Sequence, residues 1–71
     1  MAKTIKAHIT GTVWKIEVKV GDQVDEGTVV AILESMKMEM PVESEDTGKV
    51  TAIHVTEGQA INEGVDICTL D

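Results

Sequence analysis

Phenylalanine, tyrosine and arginine are absent from this chain, and cysteine, tryptophan and proline occur once each. A single cysteine excludes an internal disulfide. A domain of 71 residues must then be held by apolar packing and well-formed turns, or by a metal or a partner chain. The lack of arginine, with 13 acidic residues and a formal charge of -7, excludes the clustered cations that displace counterions from a phosphate backbone. No nucleic-acid partner is expected. The acidic excess favours a soluble monomer and repels acidic membranes. No window has the length and hydropathy of a membrane span, and the opening residues MAKTIKAHIT lack the apolar core of a signal peptide. The chain therefore reads as cytoplasmic, in keeping with its lone thiol. No Walker loop, dinucleotide fingerprint or zinc-protease motif is present, and His8, His54 and Cys68 lack metal-ligand spacing. The sequence predicts no metal site and no catalytic residues.

What the chain has is aliphatic: 42% of it is hydrophobic, almost all Val, Ile, Met, Ala and Leu. That composition suits short strands. A shift of 37 positions lays GTVWKIEVKVGDQVDEGTVVAILE over GKVTAIHVTEGQAINEGVDICTLD, pairing Gly11 with Gly48, Val13 with Val50, Gly21 with Gly58, Gly27 with Gly64 and Leu33 with Leu70. A long repeat occurring only twice predicts a single domain over 1–71, with halves at about 1–34 and 38–71 packed face to face under quasi-twofold symmetry. Ile16, Val18 and Val20 alternate with Glu17 and Lys19, and Met36, Met38 and Met40 alternate with Lys37 and Glu39, which is the period of strands. Glycines at matched places predict turns of positive φ. The expectation is an all-β fold of roughly eight strands, near 3–9, 12–18, 22–25, 29–34, 38–43, 49–55, 59–62 and 66–71. Two four-stranded antiparallel sheets of this kind form a flattened barrel or sandwich around a thin aliphatic core.

The segment at the seam of the repeat, ESMKMEM, is where symmetry places a hairpin opposite the termini. Glu34-Ser35-Met36-Lys37-Met38 resembles the biotin-attachment motif Glu-Ala-Met-Lys-Met of the biotinyl/lipoyl attachment domain family, and within it the biotin carboxyl carrier proteins. The segment Val20 to Gly27 is similar to that family's Gly-Asp-x-Val turn, and Gly58 to Gly64 to its second copy. The resemblance covers nearly the whole chain. Two departures stand out: Ser35 replaces the usual alanine, and Ala7-His8-Ile9 stands where Ala-Pro-Met is common, with Val42-Glu43-Ser44 taken as its second-half counterpart.

The resemblance implies a flattened eight-stranded barrel, the barrel-sandwich hybrid, with Lys37 at the tip of a tight hairpin as the attachment point of covalent biotin. It implies a non-catalytic carrier subunit that shuttles carboxyl groups between the biotin carboxylase and carboxyltransferase sites of a biotin-dependent carboxylase. A biotin protein ligase supplies the cofactor, with Glu34, Met36 and Met38 as its recognition residues. A lysine ammonium must lose a proton before it is acylated, so the ligase has to recognise the surroundings of Lys37. Flexible, polarisable methionines suit an apolar pocket. A lipoyl carrier is the main alternative, because lipoyl domains share the architecture and modify a hairpin lysine. Their motif has Asp before that lysine, and here the position holds Met36. An unmodified barrel used for assembly is a third reading. Trp14 aligns with Thr51 and either contacts a partner or covers an edge of the core. Met38 and Met40 share parity and either fill the core or make contacts. Glu34, Glu39, Glu43, Glu45 and Asp46 read as a solvated acidic face.

Overall fold

The computed structural model describes residues 3–71, so the first two positions of the expected domain lie outside the described residues. The described chain is all-β: β1 (Lys3–Lys6), β2 (Gly11–Ile16), β3 (Gln23–Val24), β4 (Val29–Ser35), β5 (Met38–Glu43), β6 (Gly48–Ile53), β7 (Ala60–Ile61) and β8 (Asp66–Leu70). Among the described residues, no helix is long and apolar enough to cross a membrane. The strands form two four-stranded sheets, ordered β1-β8-β6-β3 and β5-β4-β2-β7, with every pairing antiparallel. This is the flattened barrel-sandwich that the sequence predicts.

Exchanging β1 with β5, β2 with β6, β3 with β7 and β4 with β8 turns one sheet order into the other. The halves do not stack face to face as the repeat implied. Each sheet takes two strands from each half, so neither half has a complete sheet of its own. The stitching is reciprocal. Gly21 N donates to Val50 O at 2.8 Å and Gly58 N to Val13 O at 2.7 Å; Gly27 N donates to Ser44 O at 2.8 Å and Gly64 N to Ala7 O at 2.9 Å. All four glycines have φ between 90° and 99°, the left-handed region that side chains other than glycine resist. These bonds also make Ser44 the counterpart of Ala7, which moves the expected Val42-Glu43-Ser44 match by two residues.

Strand period fails at matched bulges. The β2–β4 register shifts between Val13 and Lys15, and the β6–β8 register between Val50 and Ala52. Trp14 and Thr51 are the inserted residues. Bulges at Val30 and Ile67 interrupt the β4–β5 and β1–β8 ladders in the same way. A bulge adds one residue and resets the alternation of faces, so Val30 and Ala31 are both buried, as are Ile67 and Cys68. The alternation read through Ile16, Val18 and Val20 also breaks. Strand β2 ends at Ile16, Val18 is half-buried, and Val20 lies in a turn, 61% exposed.

The core consists of aliphatic side chains from both sheets, with Val13, Val24, Val30, Ala31, Leu33 and Leu70 fully buried. Ser44 is the one buried polar residue among those described. Its hydroxyl donates to Asp46 O and accepts from Asp46 N at 3.1 Å, so its burial leaves no unmet hydrogen bond. At the surface, a hydrogen bond from the Lys6 ammonium holds the Asp66 carboxyl below its ordinary pKa.

Cys68 lies in this core, and its burial pushes the thiol pKa above 9.0. The folded state thus favours the neutral thiol. Below the unfolded-state value this preference has no effect on stability. As pH rises past it the unfolded chain ionises first, and stability is lost until the folded thiol titrates as well, at most about 1.4 kcal/mol per pH unit. Urea unfolding of wild type and Cys68→Ala at pH 7 and pH 10 is expected to show the larger alkaline loss in wild type. Equal losses would place the alkaline sensitivity elsewhere.

Candidate functional site

Strands β4 and β5 form a hairpin paired from Val29 and Glu43 out to Ser35 and Met38. Only Met36 and Lys37 remain for the loop. A two-residue loop between right-twisted strands takes a type I′ turn, in which both loop residues have positive φ. Met36 has φ 52° and Lys37 φ 65°, and they are the only non-glycine residues with positive φ among those described. Such turns favour Asn-Gly. For residues with a Cβ the left-handed conformation costs roughly 1–2 kcal/mol each.

The strain is sustained because the hairpin's base is fixed. Strand β4 is an interior strand between β5 and β2, and it drives Val30, Ala31 and Leu33 into the core, where none has measurable exposure. The opposing β5 buries Val42. A rigid ladder therefore carries a strained turn beyond the end of the apolar core. Gly11 closes the neighbouring strand against this ladder: a Cβ there would come within 2.5 Å of Glu34 O. Its counterpart Gly48 stands in the same relation to Asp71 O, at 2.7 Å. Asp71 is thus the symmetric counterpart of Glu34.

The sequence-predicted residues gather at this tip. Lys37 is exposed and has no ion-pair or hydrogen-bond partner among the described residues. Met36 is 91% exposed and Met38 59% exposed, so neither fills the core. Met40 pairs with buried Leu33 and is half-buried. The two methionines of equal parity therefore divide, because the sheet overhangs the core at Met38 and still covers it at Met40. Glu34 is exposed one row below the tip, directly opposite Glu39. What the sequence did not single out is Glu39 as the partner of Glu34 in a like-charge pair, a registration visible only once the strands are paired. Trp14 is 50% exposed, on the bulge of β2 beside the hairpin. Elsewhere, the His54 ring Nε2 lies 2.8 Å from Thr69 Oγ1.

The arrangement presents a primary amine on a long, unbranched stem at the far end of a rigid sheet. Two exposed thioethers flank it. Among the described residues no carboxylate or imidazole stands within hydrogen-bond distance of the Lys37 amine.

Comparison with known proteins agrees with this geometry. A family described as "biotin-requiring enzyme", of biotin and lipoyl domains, matches residues 1–70. The chain is 46% identical over 61 residues to the biotin/lipoyl attachment protein of Bacillus subtilis, covering 86% of this chain and 84% of that protein. It is 44% identical over 69 residues to the biotin carboxyl carrier protein of Streptococcus mutans, covering 97% of this chain but 53% of that protein. Among solved structures, Kluyveromyces lactis urea carboxylase superposes on the whole chain with a TM-score of 0.93 at 34% identity, the match taking up 6% of that enzyme.

Relief of the tip's backbone strain is expected to stabilise the fold. Met36→Asn is expected to gain up to about 1 kcal/mol, and Met36→Asn with Lys37→Gly about 2 kcal/mol, since Asn and Gly occupy the left-handed region at lower cost. Urea midpoints at constant m-value measure the gain. Unchanged midpoints would show that the tip is unstrained.

Proposed function

The chain belongs to the family of biotin- and lipoyl-attachment domains, and on that premise we propose that it carries biotin covalently on Lys37 for a biotin-dependent carboxylase. The observation that carries this reading is the turn itself: an exposed lysine held at positive φ, on the tip of a hairpin whose strands are anchored in the core. A surface lysine without a task has no need of a conformation that disfavours it.

The chain's own contribution is positional. The lysine stem supplies an amine that forms a stable amide and stays mobile, while β4 and β5 fix where that stem begins. Met36 and Met38 flank the lysine in sequence at the tip and Glu34 lies one row below on the outer face, Met36 being the most exposed of the three. Biotin, when attached, supplies a ring nitrogen able to hold a carboxyl group. Because the stem is tethered to a docked domain, the effective concentration of that group at a nearby active site reaches the millimolar range. The domain performs no bond-making step. Its partners in this reading are a biotin protein ligase, a biotin carboxylase and a carboxyltransferase, all met transiently by a cytoplasmic monomer.

The name of the Bacillus subtilis relative covers lipoyl as well as biotin attachment, so the decisive experiment reads both. Intact mass and peptide mapping of chain purified from its natural host are expected to show a gain of biotin minus water on Lys37, absent from Lys37→Arg. A lipoyl increment there would move the protein to acyl-transfer complexes. Unmodified Lys37 in protein that also resists an active biotin ligase would leave an assembly module on the same fold. A second expectation concerns the thioethers. Met36→Leu with Met38→Leu is expected to slow ligation about tenfold, through loss of flexible apolar contacts; an unchanged rate would remove the methionines from recognition.

A further inference from the structure

The internal repeat provides a control for reading the surface, because every position on one sheet has a counterpart on the other. On the outer face of the sheet that carries the hairpin, Pro41 pairs with Ile32, and Ile32 with Lys15, beside the bulged Trp14. The matching row on the other sheet runs Thr4, Thr69, Ala52, with Thr51 on the bulge. There Thr51 Oγ1 donates to the backbone carbonyl of Thr69 at 3.2 Å, and Thr69 Oγ1 meets the His54 ring. The same backbone thus presents three threonines on one side and Trp, Ile and Pro on the other. Trp14 is 50% exposed, Pro41 is exposed and Ile32 half-buried. Folding does not require apolar groups at these positions, since the threonine row is built on an equivalent backbone.

Between this apolar row and the tip, Glu34 and Glu39 face each other across the strands. Directly opposed like charges destabilise a sheet, and neither has an ion-pair partner among the described residues. From Lys37 downward the face therefore reads amine, paired carboxylates, apolar row. Ile32 lies three residues below Ser35 at the base of the turn, about 10 Å along the strand. The three apolar side chains leave on the order of 200 Å² uncovered, well short of the roughly 800 Å² per partner of a stable complex. The match is to a partner that binds and releases.

Resting on the carrier reading, we infer that this face is the docking surface for the biotin carboxylase component, which supplies an apolar seat for Trp14 bordered by Lys or Arg side chains opposite Glu34 and Glu39. The ligase acts on the lysine amine itself and must enclose the tip. Once biotin lengthens the arm, the reacting nitrogen lies farther from the tip, and the carboxylase must find its binding energy on the flanking sheet. Charge complementarity makes this docking weaken as salt rises.

The test uses the full chain, biotinylated by a biotin protein ligase and verified by mass, with a biotin carboxylase that accepts the wild-type chain. The variants Trp14→Thr and Trp14→Thr/Ile32→Thr/Pro41→Thr install the sister row. They are expected to be ligated within about twofold of the wild-type rate, while the KM for the carrier in carboxylation rises about tenfold or more and kcat stays within about twofold. Trp14→Phe, which keeps an apolar ring on the bulge, is expected to recover most of the loss. Because Trp14 is the sole tryptophan, 5-fluorotryptophan labelling gives a single ¹⁹F resonance that is expected to shift when unlabelled carboxylase is added to the wild-type chain. An unchanged KM with a stationary resonance would overturn the assignment, as would a fall in ligation equal to that in carboxylation, which would give the face to the ligase. A wild-type chain that takes up no biotin would remove the carrier reading, and with it this occupant, before any variant is compared.

Discussion

The reciprocal backbone bonds between the two halves hold the rest of the structure in place. Gly21 to Val50 and Gly58 to Val13 join strands that lie far apart in sequence and close both sheets at once. With one cysteine, one aromatic residue and a thin aliphatic core, this chain has few other means of cohesion. Small domains bury a limited fraction of their surface, and interleaving lets both halves contribute to one core. Folding then has to be concerted, because a single half offers unpaired strand edges and half a core.

That closed frame is what allows strain at the tip. A β-hairpin alone is marginally stable in water, and one with Met and Lys in a type I′ turn would adopt another loop. Here β4 is paired on both sides and its inward residues are fully buried, so its register cannot slip to relieve Met36 and Lys37. The position and direction of the lysine stem are thereby fixed, while the bonds of the stem supply reach. Rigidity below and mobility above are complementary properties of one carrier.

The symmetry is also a guide to what the fold does not need. Bulges, glycine turns and buried valines recur in both halves and belong to the scaffold. Two departures from the repeat fall on the sheet that carries the hairpin: opposed glutamates, and an apolar row where the other sheet has threonines. The buried Cys68 and the Ser44–Asp46 bonds lie outside this asymmetry and have structural accounts.

Much of this was legible in the residues. The 37-residue repeat, the matched glycines and the β-branched alternation place eight strands within a few residues of those observed, since strand period and positive-φ turns are local properties. The resemblance of Glu34 to Met38 to an attachment motif singled out Lys37, but the attachment itself remains a proposal. What the sequence could not yield were the non-local features. Whether halves stack or interleave depends on which edges pair, the bulges at Trp14 and Val30 exist only relative to partner strands, and the separate fates of Met38 and Met40 follow from where the core ends beneath the sheet. The sequence by itself determined the strands, their turns and the identity of the exposed amine. Tertiary structure alone decided the registration that opposes Glu34 to Glu39 and forces two side-chain-bearing residues into a glycine conformation, because register is a property of paired strands.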